Sequence, residues 1–299
     1  MSSKKTLRLI SLGMFIVAAI FVGVALTHPE MGETFYIGKF AVNASHWLVA
    51  YILYAMVMVA FFALSFTKFT AIVAVNIVFT LLVLVGNYFY QDMGMAYPIK
   101  LICSGGFMLM GIINLIYAIK AKCRKISLMV LMAVGMIFAF LGDFAINQEF
   151  VSGVVFFALG HVFFVINFWL YRKITKLDVV ISVIWGILAV GFILFCPYFV
   201  FEPAAFKYIC AAYAAIISVM VGKALGNALG EKNIYTMLIG VGSVCFFFSD
   251  VALVLAWFST LEAKWLSNLC MGLYYPALVM LGWSMIRYVH NHPAITKES

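Results

Sequence analysis

From one end to the other the chain repeats a single pattern: continuous apolar runs of about 20 residues, the length a helix needs to cross a ~30 Å hydrocarbon layer. Short segments carrying charge, Pro or Gly separate them. These breaks set ten runs at 7–26, 46–66, 70–89, 98–118, 128–146, 151–171, 177–195, 204–222, 234–257 and 265–286. Only Thr67, Lys68 and Phe69 part the second run from the third, which demands a very tight turn. None of the runs alternates apolar with polar residues as the strands of a membrane barrel do. The pattern therefore predicts helices, whose backbone groups are satisfied internally. The expected fold is all-α, a polytopic transmembrane bundle of about ten spans with both termini cytoplasmic.

Composition removes the soluble alternative. The chain is 66% apolar and 10% charged, with a mean hydropathy of +1.13, whereas soluble domains carry about 25% charged residues. Too little polar surface would remain to cover ten such runs in water. The first run follows Lys4, Lys5 and Arg8 but exceeds a signal-peptide core in length, so it reads as an uncleaved anchor.

The net charge of +8 resides mostly in short loops, with no basic-aromatic motif, and does not point to nucleic acid. It does report orientation. With the N-terminus inside, the inner segments hold 15 of the 19 Lys and Arg residues; Lys39, Lys100, Lys207 and Lys264 fall outside. A wrong count would flip every later loop and scramble this bias. The loops are short and leave no room for a soluble domain. Cys103, Cys123, Cys196, Cys210, Cys245 and Cys270 show no CxxC and no clustering with His, so they read as small buried side chains.

Two acids interrupt the apolar runs, Asp143 in AFLGDFAINQ and Asp250 in CFFFSDVALVLAW. An Asp at the centre of a membrane helix costs roughly 2.5–3.5 kcal/mol on insertion scales, which makes it a functional candidate. Both runs proceed from inside to outside, so both acids are expected in the outer half of the layer, sharing one cavity if their helices are neighbours. Asn147, four residues after Asp143, is expected on the same face. Lys100 is expected at the outer rim, His161 about midway down its helix, and Tyr274 and Tyr275 in the outer half of the last one. The polar set lacks a clustered ligand pattern, so neither a metal nor an organic cofactor is expected.

In order along the chain, LGDFAIN, GVVFFALGHVFFVINFW, FFFSDVALVLAWF and LCMGLYYPALVMLGWS resemble the successive motifs of the lysoplasmalogenase (YhhN-like) family of membrane proteins. The resemblance covers about residues 70–289. It implies an eight-helix domain there, with residues 1–69 as two additional helices and 290–299 as a short cytoplasmic tail. It further implies hydrolysis of the vinyl-ether bond of lysoplasmalogens, releasing a fatty aldehyde and glycerophosphoethanolamine or glycerophosphocholine. Asp143 and Asp250 would be catalytic, with Lys100, His161, Tyr274 and Tyr275 as substrate-binding support, a set that Asn147 joins on its helical spacing from Asp143. Two positions depart from the family's pattern: its Lys-Pro pair is Lys100-Leu101 here, and a glutamine after the Tyr pair is Leu278.

The residues suit such chemistry independently of the likeness. A vinyl ether resists nucleophiles until its β-carbon takes a proton, and two carboxylates can divide the work of proton delivery and cation support. Asp143, amid Phe138, Phe140 and Phe144, is expected to be the acid and Asp250 its ionised partner. The expected partners are a vinyl-ether lysophospholipid and membrane lipids, in a cytoplasmic membrane or, in a eukaryote, the endoplasmic reticulum. A proton-coupled lipid or small-molecule transporter is the competing expectation.

Overall fold

The computed structural model describes residues 32–37, 40–45, 54, 70–91, 97–260 and 264–292. The runs expected at 7–26 and 46–66 lie outside the described residues, Tyr54 excepted. The other eight form helices: α1 (Ala71–Gln91), α2 (Tyr97–Lys120), α3 (Ile126–Ala145), α4 (Phe150–Tyr171), α5 (Lys176–Phe195), α6 (Ala205–Glu231), α7 (Ile234–Phe258) and α8 (Lys264–Asn291). Each contains a stretch long and apolar enough to cross a membrane, and the chain is a multi-pass membrane protein. The loop expected between the first two spans carries strands β1 (Gly32–Ile37) and β2 (Phe40–Ser45), paired antiparallel with Ile37 opposite Phe40. The described spans are all helical, as expected; this short hairpin lies outside them, where β-branched and aromatic residues satisfy their backbone groups by pairing.

The chain divides into two compact units, Met1–Ile99 and Lys100–Ser299. In the first, α1 carries Asn76 and Thr80, whose side chains donate to the carbonyls of Ile72 and Asn76 at 2.9 and 2.8 Å. Such back-bonding satisfies a polar group inside an apolar helix.

In the second unit the helices pack as antiparallel pairs, α3 with α4, α5 with α6 and α7 with α8, while α6 also meets α4 and α7. Short connections require this arrangement. Three helix starts are capped: Glu149 accepts from Val151 and Ser152 N–H, and Thr175 with Asp178 and Asn233 with Thr236 form capping boxes. Helix α5 has the most open flank, with Ile187, Leu188 and Phe195 exposed, as expected of a surface solvated by lipid chains.

Helix α6 runs to Glu231, well past the expected end at 222. Lys223, which the sequence presents as a break, is buried within it, its ammonium 2.7 Å from Asp178 and 3.1 Å from the Lys173 carbonyl. Arg172 joins Asp178 at 3.6 Å and donates to the Gly226 carbonyl at 3.1 Å. A charge thus ceases to end a span when a buried partner neutralises it. This cluster lies at the end of the unit where α4 finishes and α5 begins.

Candidate active site

The opposite end, where α2, α4, α6 and α8 begin, holds the two intramembrane acids. Lys100 sits in the first turn of α2, and Ser104 follows one turn later on the same face. Asp143 occupies the last turn of α3. Its Oδ1 lies 3.4 Å from the Lys100 Nζ, and its Oδ2 accepts from Ser104 Oγ at 2.6 Å and Tyr274 OH at 2.7 Å. Tyr275 OH lies 3.3 Å from Ser104 Oγ and 3.3 Å from the Lys100 carbonyl. Lys100 and Asp143 are 3% and 2% exposed, so this ion pair is withdrawn from both lipid and water. Three donors on one carboxylate compensate a charge that would otherwise be very costly to bury.

The glycine preceding Asp143 has a packing reason. A Cβ at Gly142 would stand 2.8 Å from the ring of Phe157 on α4. That ring packs edge-on against Tyr274, with centroids 6.0 Å apart, and Tyr274 is the donor to Asp143. The Gly-Asp sequence therefore lets α4 approach closely enough to seat the tyrosine.

Asp250 builds a second cluster. It lies eight residues before the end of α7, about 12 Å in at ~1.5 Å per residue. Tyr213 on α6 donates to its Oδ2 at 2.7 Å. His161 on α4 places Nε2 2.7 Å from Tyr213 OH and 3.7 Å from the same carboxylate oxygen. Because the tyrosine hydrogen goes to Asp250, the histidine donates to the tyrosine oxygen, and the three form a directional chain. Ser249 donates to the Phe246 carbonyl at 2.7 Å, with Asp250 Oδ1 as a second, longer acceptor at 3.4 Å.

The clusters are adjacent but distinct. Helix α8 packs along α7 and also meets α3. From α7, the Phe246 ring stands 5.2 Å from Tyr274 on one side and 4.6 Å from His161 on the other. Asp250 lines two apolar crevices. One runs between α5, α6 and α7 past Ile193, Cys210 and Ile217, and the other runs past Phe150, Phe157 and Trp257. Asp143 lines neither of these two crevices, and at 2% exposed against 14% for Asp250 it is the more deeply buried of the two acids.

Of the expected site residues, Lys100, Asp143, Tyr274 and Tyr275 come together in the first cluster, and His161 and Asp250 in the second. Lys100 is buried and turned to Asp143, not poised at a rim. Asn147 is exposed: α3 ends at Ala145 and Asn147 belongs to the following turn, so the helical spacing that aligned it with Asp143 does not apply. Leu278, the departure from the expected glutamine, is fully buried. Two participants were not anticipated. Ser104 was legible as the residue one turn after Lys100. Tyr213, set among alanines and isoleucines on α6, gave no signal beyond being one of three hydroxyls in an apolar run, with Tyr208 and Ser218. Among the described residues no three His, Cys, Asp or Glu side chains converge as metal ligands.

Comparison with known proteins accords with this picture at the level of family. The model of the YhhN family matches residues 104–285, more than half of the chain. The match includes Ser104, Asp143, His161, Tyr213, Asp250, Tyr274 and Tyr275 and begins four residues after Lys100. No curated protein and no solved structure matches.

Proposed function

Since the chain belongs to the YhhN family, we propose that it is a membrane hydrolase that cleaves the vinyl-ether bond of lysoplasmalogens. The observation that carries this reading is Asp250, an acid on the walls of two apolar crevices, hydrogen-bonded to Tyr213 and backed by His161. Protonating carbon in a lipid requires an acid that an apolar chain can reach, and Asp250 meets that requirement.

The roles we assign reverse the sequence expectation. Asp250, 14% exposed, delivers a proton to the β-carbon of the enol ether; the C=C π pair forms the new C–H bond, leaving an oxocarbenium ion. Water then adds to the oxygen-bearing carbon and returns a proton to Asp250. The resulting hemiacetal passes its hydroxyl proton to the ether oxygen as the C–O bond breaks, giving aldehyde and alcohol. Asp143, with Lys100, Ser104 and Tyr274 occupying its oxygens, is a fixed charge whose tyrosine partner borders the second cluster. Tyr213 and His161 hold Asp250 in orientation. Electrostatic groups held in advance of the reaction need not reorganise when charge develops.

Around this site we propose that residues 1–69 are an N-terminal addition to the family domain, and that both termini face the cytoplasm of a plasma membrane or, in a eukaryote, of the endoplasmic reticulum. The 15-to-4 distribution of basic residues supports the orientation. A cysteine introduced at Lys122 should react with an impermeant reagent only from the cytoplasmic side; reaction from the other side would overturn it.

The decisive assay incubates the purified protein with lysoplasmalogen and measures aldehyde. Asp250→Asn should lower turnover by about 100-fold or more, the usual contribution of a positioned acid, and the saturated alkyl ether should survive intact. Full turnover by the Asp143→Asn, Asp250→Asn double variant would refute the mechanism. A protein that leaves the vinyl ether intact yet moves lipid across a vesicle membrane would be a transporter instead.

A further inference from the structure

Of the four basic residues that the charge pattern groups on the outer side, Lys100 is committed to Asp143, and the side chains of Lys39 and Lys264 lie outside the described set. Lys207, in the first turn of α6, is partly exposed, and no carboxylate pairs with it among the described residues. It lines a recess with Ile193, Cys196, Phe199, Phe201 and Ala204. Ile193 also lines the crevice that leads to Tyr213 and Asp250. Recess and crevice therefore follow one another along the seam between α5 and α6, with an ammonium at the outer end and an acid further in.

Depth and spacing both point to a ligand of particular shape. Tyr198, Tyr208 and Trp257, all well exposed, ring this end of the bundle, as aromatic residues do at the level of lipid head groups. Lys207 lies at that level. Tyr213 follows it by six residues, about 9 Å along the helix. In a 1-alkenyl glycerophospholipid the phosphorus and the vinyl carbons are separated by six or seven bonds, or roughly 6–9 Å at ordinary bond lengths. The crevice continues inward past Ala189, Ile217 and Phe247, an apolar path for one chain. Its outer wall is pinned: Val200 N–H donates to the Phe258 carbonyl at 2.7 Å and Thr260 N–H to the Tyr198 carbonyl at 2.9 Å, so the recess is formed before anything binds.

We propose that Lys207 is the phosphate-anchoring residue of a single-chain glycerophospholipid site that runs down the α5–α6 seam to Asp250. This deepens, and rests on, the hydrolase reading above, but it makes a binding claim that can be tested apart from turnover. With the full-length protein in a phosphate-free detergent, the probes are a saturated 1-alkyl glycerophosphoethanolamine, which cannot be cleaved, and the 1-alkylglycerol of the same chain length. The wild type should bind the phospholipid about tenfold more tightly than the alkylglycerol, in keeping with one charge-assisted contact. Lys207→Ala and Lys207→Gln should each erase that preference without weakening alkylglycerol binding, and Lys207→Arg should retain it. In the turnover assay, Lys207→Ala should raise KM for lysoplasmalogen about tenfold with kcat within twofold of wild type. Phosphate selectivity without aldehyde release would support the subsite while removing the hydrolase. Aldehyde release with unchanged KM and unchanged phospholipid binding in both neutral variants would overturn the subsite while leaving the hydrolase standing.

Discussion

Replacing Lys100 by Met tests most directly how the more deeply buried acid is tolerated. The substitution keeps a linear side chain but removes the ammonium 3.4 Å from Asp143, at a position where both groups are almost wholly buried. Ser104 and Tyr274 still donate to Oδ2, but Oδ1 loses the partner shown for it. Removing one member of a buried pair costs about 3–5 kcal/mol, because the remaining charge has neither water nor counterion. Asp143→Asn alone should be milder: an amide needs no counterion, although Lys100 is then the unpaired charge, at a terminus from which a long side chain can snorkel. The double variant removes both charges, so the two effects should fail to add by about 2 kcal/mol. The assay is a double-mutant cycle on the free energy of unfolding in mixed micelles, with Lys100→Met, Asp143→Asn and the pair measured together. A coupling energy below about 0.5 kcal/mol, the usual scatter for independent sites, would refute the claim that these groups form a mutually dependent buried pair.

Three further expectations follow from the packing and the caps. Gly142→Leu should push Phe157 from Tyr274 and cost about 1–3 kcal/mol by overpacking, with aldehyde release falling further than stability alone explains; wild-type turnover would refute the link. Tyr213→Phe removes the hydroxyl between His161 and Asp250 and should lower kcat, shifting the pH–rate profile while leaving the KM for lysoplasmalogen close to wild type, and an unaltered profile would exclude Tyr213 as the link between them. Glu149 lies outside the spans, and hydrogen bonds from the side chain and N–H of Ser152, with that of Val151 N–H, hold its carboxyl below the ordinary value. Its cap therefore stabilises α4 at and above the usual glutamate range and is lost as pH falls through the lowered value; the acid limb of thermal stability should flatten in Glu149→Gln and not in Gln148→Ala.

The sequence by itself determined which segments cross the membrane, because the cost of exposing an apolar run to water, or a backbone group to lipid, is paid locally and is written in consecutive residues. The eight described spans match their expected limits closely wherever a loop charge is solvated. The same local cost marked Asp143 and Asp250, since an acid in an apolar run is anomalous whatever surrounds it. Tertiary structure alone decided what a charge does once another helix approaches. Lys223 ceases to be a span boundary because Asp178, on a different helix, neutralises it. Lys100, in the first turn of α2, is buried instead of open to solvent because its ammonium is turned to Asp143, 3.4 Å away. Asn147 loses its place beside Asp143 because α3 ends at Ala145. Tyr213 enters the site only because α6 packs between α4 and α7. Burial and pairing depend on distances between residues far apart in the chain, and those distances exist only after the helices have packed.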